Sequence, residues 1–217
     1  MLNKKVVAML ATEFIGTALL TLTVLAVKGS AIGIPYFIAL AIGLSFAGLI
    51  FLIDGQWIGQ FNPAITIGLW TVKKIKSLDM IFNILFQFLG AIVAGQLYSY
   101  LISNKGVSIS GKYSTHVLVA EAVGAFIFAL LLAVVVYRKL EGTSAALAAG
   151  LSLTIGVIIA SIGSNALINP AIALGVKSFG WSTYILGPIL GAVIAMNLYS
   201  FLYADRVVKA KVTTKKK

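Results

Sequence analysis

The sequence contains two copies of one short motif whose residue types could contact a passing solute. The copies are Asn62-Pro63-Ala64 and Asn169-Pro170-Ala171. Asparagine is a good helix N-cap, and proline is preferred at the first helical position, where its missing N–H costs nothing. Each motif therefore predicts the start of a helix, with side-chain amide N–H groups left to donate to a solute. The apolar segments that follow, Asn62 to Val72 and Asn169 to Val176, are too short to span a membrane.

Residue types that support catalysis or metal binding are scarce. The chain has no cysteine and a single histidine, His116, whereas zinc and iron sites need clustered histidine, cysteine or carboxylate ligands. Catalysis would need a buried nucleophile beside a base, and no histidine, cysteine or group of acids accompanies the serines. We therefore expect no enzyme activity, no metal site and no cofactor.

The elements that position the two motifs are hydrophobic helices. Hydrophobic residues make up 60% of the 217-residue chain and charged residues only 11%, whereas about a quarter of a soluble domain is charged. A membrane-spanning helix needs about 20 mainly apolar residues. The segments that meet this requirement are Val6 to Val27, Pro35 to Ile53, Met80 to Ile102, Val117 to Tyr137, Ser144 to Ile162 and Trp181 to Tyr203. The sequence predicts an all-α membrane protein with one domain over residues 1–208 and a basic, solvated tail over residues 209–217.

The net charge of +11 comes from basic residues dispersed between the spans, which favours a lipid bilayer over nucleic acid as the partner. With six spans, both termini lie on the same side. That side collects Lys4, Lys5, Lys73, Lys74, Lys76, Arg138, Lys139, Arg206, Lys209, Lys211 and Lys215 to Lys217, and the other side has Lys28, Lys105, Lys112 and Lys177. Because cytoplasmic loops accumulate lysine and arginine, we expect an integral protein of the plasma membrane with both termini in the cytoplasm.

The chain consists of two repeats, over about residues 6–102 and 115–204. The sequence Glu13-Phe14-Ile15-Gly16 matches Glu121-Ala122-Val123-Gly124, and Gly43-Leu44-Ser45 matches Gly150-Leu151-Ser152. Each repeat has three spans, an odd number, so the second repeat is inverted in the membrane relative to the first. The two short segments then enter from opposite faces. Because interrupted segments at matching repeat positions mark a permeation site, we expect a pore between them.

Together these motifs resemble the aquaporin, or major intrinsic protein, family across nearly the full length of the chain. The similar segments are Glu13 to Thr17, Gly59 to Thr66, Gln87 to Ala91, Ile168 to Ala171 and Gly187 to Ala192. The resemblance implies an aquaporin-like, right-handed bundle of six transmembrane helices and two re-entrant half-helices, with one pore per subunit and usually a homotetramer. It also implies passive passage of water and of small neutral solutes such as glycerol, ammonia or hydrogen peroxide.

The resemblance also assigns the selectivity filter, the positions that narrow the pore. Family members usually have arginine directly after the second Asn-Pro-Ala motif, and here the residue is Ile172. The other filter positions correspond to Ile42, Val157 and Ala166. All four side chains are apolar, so we expect a filter without charge and without side-chain donors.

Three polar residues are assigned supporting roles by the resemblance. Glu13 and Glu121 correspond to glutamates that accept hydrogen bonds from the pore-loop backbone, and Gln60 stands where many relatives have histidine in the first pore loop. An acid within a membrane is otherwise a candidate proton relay, which would make the chain a proton-coupled secondary transporter. A non-conducting structural membrane protein is the third alternative, because an aliphatic filter could be closed.

Overall fold

The structure is a computed structural model that describes residues 3–30, 34–53, 59–103, 113–178 and 180–214, and within these segments every regular element is a helix. The helices are α1 (Lys4–Gly29), α2 (Pro35–Ile53), α3 (Pro63–Thr71), α4 (Ser77–Leu101), α5 (Thr115–Arg138), α6 (Gly142–Ala160), α7 (Pro170–Gly175) and α8 (Trp181–Thr214). Six of them are long and apolar enough to cross a membrane, and α3 and α7 are short. The predicted all-α fold of six spanning helices and two half-helices is confirmed.

The chain crosses the bundle in alternate directions. At one face, Lys28 at the end of α1 bonds to Asn165 after α6, and at the other, Lys74 after α3 lies over the ring of Tyr137 at the end of α5. The start of α1 and the C-terminal part of α8 therefore lie on one face, called the terminal face here, and the opposite face is called the distal face. Because α2 ends and α4 begins at the terminal face, α3 begins inside the bundle and returns to that face. By the same reasoning, α7 begins inside the bundle and returns to the distal face.

The two repeats meet where α2 packs against α6. A Cβ atom added at Gly43 would lie 2.7 Å from the carbonyl oxygen of Gly150, and one added at Gly150 would lie 2.8 Å from the carbonyl oxygen of Gly43. These two glycines are equivalent positions of the repeat, so their contact lies on the pseudo-two-fold axis. Small residues allow helix backbones in a membrane to approach closely, and here only glycine leaves enough space.

The half-helices α3 and α7 begin with the same cap. Asn62 has an extended backbone, and its Oδ1 accepts from the N–H of Ala64 at 2.9 Å, with Pro63 as the first helical residue. Asn169 Oδ1 accepts from the N–H of Ala171 at 3.0 Å in the same way. These bonds satisfy amide groups that a helix start leaves without a partner. They also fix the positive ends of both half-helix dipoles at the centre of the bundle.

The last helix extends into residues 209–217, for which the sequence predicts a basic, solvated tail. In the structure α8 continues to Thr214. No glycine or proline occurs between Ala192 and Thr214, so nothing in the local sequence ends the helix earlier. The last three lysines, Lys215 to Lys217, lie outside the described residues, as do Lys105 and Lys112.

Candidate functional site

The tips of α3 and α7 meet at the centre of the bundle and are joined by reciprocal hydrogen bonds. Asn62 Nδ2 donates to the carbonyl of Ile168 at 2.9 Å, and Asn169 Nδ2 donates to the carbonyl of Phe61 at 2.7 Å. An asparagine amide carries two hydrogens, and the opposite loop accepts one from each residue. The second hydrogen remains for a solute in the cavity that both asparagines line. The structure thus brings the two sequence motifs together at one site.

The residues before the two asparagines have an unusual backbone conformation. Phe61 has φ 50° and Ile168 has φ 38°, in the left-handed region that bulky and β-branched residues rarely adopt. Such a conformation costs about 1–3 kcal/mol per residue. It turns each carbonyl towards the opposite loop, where it accepts the hydrogen bond from asparagine.

The first loop is held by the buried carboxylate of Glu13. Its Oε1 accepts from the N–H of Gln60 at 2.9 Å, and its Oε2 accepts from the N–H of Phe61 at 2.8 Å. The side chain of Gln87 on α4 adds a third donor, with Nε2 2.7 Å from Glu13 Oε2. The carboxylate therefore stabilises the strained residue directly.

Glu121 holds the second loop in the equivalent way. Its Oε1 accepts from the N–H of Leu167 at 3.0 Å and from the hydroxyl of Ser164 at 2.7 Å, and its Oε2 accepts from the N–H of Ile168. Apart from the Ser164 hydroxyl, every donor to the two glutamates is an amide N–H, which does not pass a proton on as a relay requires. The geometry around both glutamates therefore favours the support role over the proton-relay role.

Gln60 joins the cavity to a polar network that sequence reasoning missed. It lines the cavity, and its Oε1 accepts from Thr66 Oγ1 at 3.1 Å and from Asn83 Nδ2 at 2.9 Å. Gln87 Nε2 in turn donates to Thr66 Oγ1 at 2.9 Å. A signal was present in the sequence: Asn83 and Gln87 are polar residues four positions apart in an apolar span, which places them on one face of α4.

All four predicted filter residues, Ile42, Val157, Ala166 and Ile172, are buried and line one central cavity. The other lining residues are Leu20, Val24, Phe46, Gln60, Phe61, Asn62, Phe128, Leu153, Leu167 and Asn169, so no charged side chain lines the cavity within the described part of the chain. The space open to a water-sized sphere is about 10 Å³, which holds about one water molecule. The central cavity is therefore a narrow and mainly apolar passage.

A much wider vestibule of about 370 Å³ opens towards the terminal face. Equivalent positions of the repeat differ in side-chain size between the two cavities. A shift of 107 residues places Ile42 onto Ala149 and Ala166 onto Gly59, and both of these smaller residues line the vestibule. These two pairs contribute to the narrow distal side, whereas at the third pair the vestibule has the larger residue, Ile50 in place of Val157.

The sequence matches the family model described as Major intrinsic protein over residues 3–199. The chain belongs to this family. It is 29% identical over 196 residues to "Aquaporin AqpM" of Methanothermobacter thermautotrophicus, and the match covers 77% of each chain. It is also 27% identical over 227 residues to "Aquaporin Z" of Photorhabdus laumondii, with 91% of this chain and 98% of the relative covered.

The fold is also similar to that of a solved relative, described as "X-ray structure of the aquaglyceroporin from Plasmodium falciparum". The TM-score is 0.73 at 23% identity, and the match covers 93% of this chain and 98% of the other. At this identity the likeness concerns the fold alone.

Family membership indicates a channel rather than an enzyme. Among the residues that the structure describes, no three His, Cys, Asp or Glu side chains are grouped so that they could hold a metal ion.

Proposed function

We infer that this chain is a passive transmembrane channel for water and small neutral solutes. The observation that carries this inference is the pair of asparagine amides, which face one cavity from opposite loops and each retain one hydrogen for a solute. A solute oxygen that passes between them can accept from Asn62 and then from Asn169. The names of two relatives, "Aquaporin AqpM" of Methanothermobacter thermautotrophicus and "Aquaporin Z" of Photorhabdus laumondii, support the same inference.

The filter we propose consists of Ile42, Val157, Ala166 and Ile172, which surround the narrow part of the pore. Aliphatic side chains cannot replace the hydrogen bonds that a polar solute gives up on entering. Each bond that is not replaced costs about 1–3 kcal/mol. This cost slows water and glycerol without forbidding their passage.

Ions are excluded by a larger barrier in this proposal. A cation loses its hydration in an apolar passage at a high cost. It also meets the positive ends of α3 and α7 at the centre of the pore, an arrangement that excludes cations and protons from pores. Neutral solutes escape both penalties.

Osmotic shrinkage of proteoliposomes, followed by stopped-flow light scattering, tests the proposal. We expect shrinkage faster than that of empty liposomes, and an Ala166→Leu variant that fills the cavity should return the rate to the empty level. Ala149→Leu is the matched control, because the vestibule that it lines has about 370 Å³ of space. A wild-type rate equal to that of empty liposomes, for water and for every neutral solute, would contradict the proposal. Solute accumulation driven by a pH gradient would instead indicate a proton-coupled transporter.

We also propose that the termini face the cytoplasm of a plasma-membrane protein that assembles as a homotetramer. The chain has no cysteine, so single cysteines report orientation without background. In intact cells, an impermeant thiol reagent should label Lys177→Cys on the distal side and spare Lys139→Cys. The reverse labelling pattern would contradict the orientation.

Chemical cross-linking in membranes tests the tetramer. The largest cross-linked product should contain four subunits, and a largest product of one or two subunits would contradict the tetramer.

A further inference from the structure

A lysine near the distal end of the pore is not accounted for by the proposed mechanism. Lys28 is half-buried in the last turn of α1. Its Nζ donates to the backbone carbonyl of Asn165 at 2.8 Å. A lysine at the end of a transmembrane helix usually extends its charge to water at the membrane interface, whereas Lys28 bonds to a carbonyl of the pore loop. Its position therefore calls for a functional explanation.

The inverted repeat shows which direction this position faces. The glutamates Glu13 and Glu121 are equivalent, so α1 corresponds to α5 with a shift of 108 residues. The same shift places Lys28 onto Val136, and Val136 lines the vestibule at the terminal end of the pore. One turn earlier in α1, Val24 lines the central cavity. Residues four apart share one face of a helix, so Lys28 lies on the pore side of α1, just outside the cavity.

The partner of Lys28 is part of the constriction. Asn165 directly precedes Ala166, which lines the cavity and has φ 52°. The Asn165 side chain donates from Nδ2 to Tyr184 Oη on α8 at 3.0 Å. Asn165 therefore fastens the second loop to α1 through the lysine and to α8 through the tyrosine, directly before the filter position.

Lys28 also brings a positive charge close to the distal end of the pore. No charged side chain lines the central cavity among the described residues, while Lys28 and Glu121 both bond to the backbone of the second loop, Lys28 at the carbonyl of Asn165 and Glu121 at the amides of Leu167 and Ile168. Three hydrogen bonds hold Glu121 in place. Loss of the lysine charge would therefore remove a positive charge from the second loop, which also binds the acid Glu121. The local potential at the distal end of the pore would become less positive.

We propose that Lys28 is a selectivity residue of this channel, which positions the loop at Asn165 and supplies the positive charge that excludes cations at the distal end. The proposal rests on the proposed channel function. Its new content is that the charge comes from α1, which lies outside both Asn-Pro-Ala segments. The filter itself, with isoleucine at position 172, is uncharged.

Three substitutions separate the charge of Lys28 from its hydrogen bond. Lys28→Gln keeps a donor and removes the charge, Lys28→Met removes both, and Lys28→Arg keeps both. Lys177→Gln is the matched control, because Lys177 is an exposed lysine on the same face. Water permeability and cation flux are measured on the same proteoliposomes, with an internal pH dye for protons and a sodium dye for Na⁺.

We expect Lys28→Gln to raise cation flux on the order of tenfold, the effect of one unit charge acting over roughly 10 Å at an effective dielectric constant of about 20. Its water permeability should stay within about twofold of wild type, because the donor to Asn165 is kept. Lys28→Met should raise cation flux and also change water permeability, and Lys28→Arg and Lys177→Gln should match wild type. If Lys28 only holds the loop in place, cation flux should not rise in Lys28→Gln.

The proposal is overturned if Lys28→Gln conducts water normally and its cation flux equals that of Lys177→Gln. If Lys28→Gln does not reach the membrane, Lys28→Met decides by the same comparison. Failure of the channel function itself looks different, because wild-type liposomes would then shrink no faster than empty ones.

Discussion

The narrow cavity at the distal side should limit the passage of solutes, and Ile42→Ala tests this directly. Ile42 is 3% exposed and lines a cavity with about 10 Å³ of open space. Its equivalent in the other repeat is already alanine, at Ala149 in the wide vestibule. The substitution therefore gives the narrow side a residue that the fold accepts on the wide side.

The expected increase in glycerol permeability follows from the hydrogen bonds that glycerol keeps inside the widened pore. Removing three side-chain carbon atoms adds space on the order of two water molecules, at about 30 Å³ per water. A glycerol molecule in the widened passage can keep one hydrogen-bonded water beside it. One retained hydrogen bond lowers the barrier by about 1–3 kcal/mol, which corresponds to a rate increase of roughly 5- to 150-fold. Water, which is smaller, should gain less, so the glycerol-to-water permeability ratio should rise.

The measurement is stopped-flow light scattering with glycerol and with an impermeant osmolyte on the same liposomes. Ile50→Ala is the matched control, since Ile50 lines the vestibule and is the repeat equivalent of Val157. Both variants remove the same three carbon atoms from the pore wall. If Ile42→Ala leaves the permeability ratio unchanged, or if Ile50→Ala raises it equally, the constriction does not lie at Ile42.

Three further predictions concern the filter, the helix contact and the loop support. Ile172→Arg should lower the glycerol-to-water permeability ratio, because it adds charge and donors to the narrow passage; an unchanged ratio in stopped-flow measurements would place Ile172 outside the filter. Gly43→Ala should lower the thermal unfolding temperature in detergent, because overpacking costs about 1–3 kcal/mol of folding free energy. Gly48→Ala is the control, since a Cβ atom at Gly48 would meet nothing within 4 Å, and equal effects of the two variants would refute the close contact at Gly43. Glu13→Gln should destabilise the protein by roughly 1–3 kcal/mol and reduce water permeability, because an amide cannot accept from all three donors. Glu141→Gln is the control at an exposed site, and equal melting temperatures and permeabilities of the two variants would contradict the support role of Glu13.

The sequence was sufficient to predict the elements and the centre of the pore. The six spans follow from apolar length alone, since a bilayer core needs about 20 apolar residues per helix. The half-helix starts follow from Asn62 and Asn169, because the capping preference of asparagine and the tolerance of proline at the first helical position are local properties. The inverted repeat then places both motifs at the same depth, where the structure shows them in contact.

The rest depends on contacts between segments that are distant in the chain. Nothing local indicates that Phe61 and Ile168 take a left-handed backbone, because that conformation is imposed by glutamates in other helices. The network of Gln60 with Asn83 and the bond from Lys28 to Asn165 also join separate elements. The difference between the narrow cavity and the wide vestibule depends on which residues of each repeat line the pore, and only the packing of the helices shows this.

The reciprocal bonds between the half-helix tips also constrain how the chain is made. The acceptor for Asn62 lies 106 residues further along the chain, so at about 5–20 residues per second the first loop waits roughly 5–20 s on the ribosome for its partner. During that interval the newly inserted first repeat has a polar loop without its hydrogen-bond partners inside the bilayer, where unsatisfied backbone groups are costly. A translation product that stops before the second loop is therefore a target for membrane quality control, and we expect it to be degraded rather than to accumulate as half a channel.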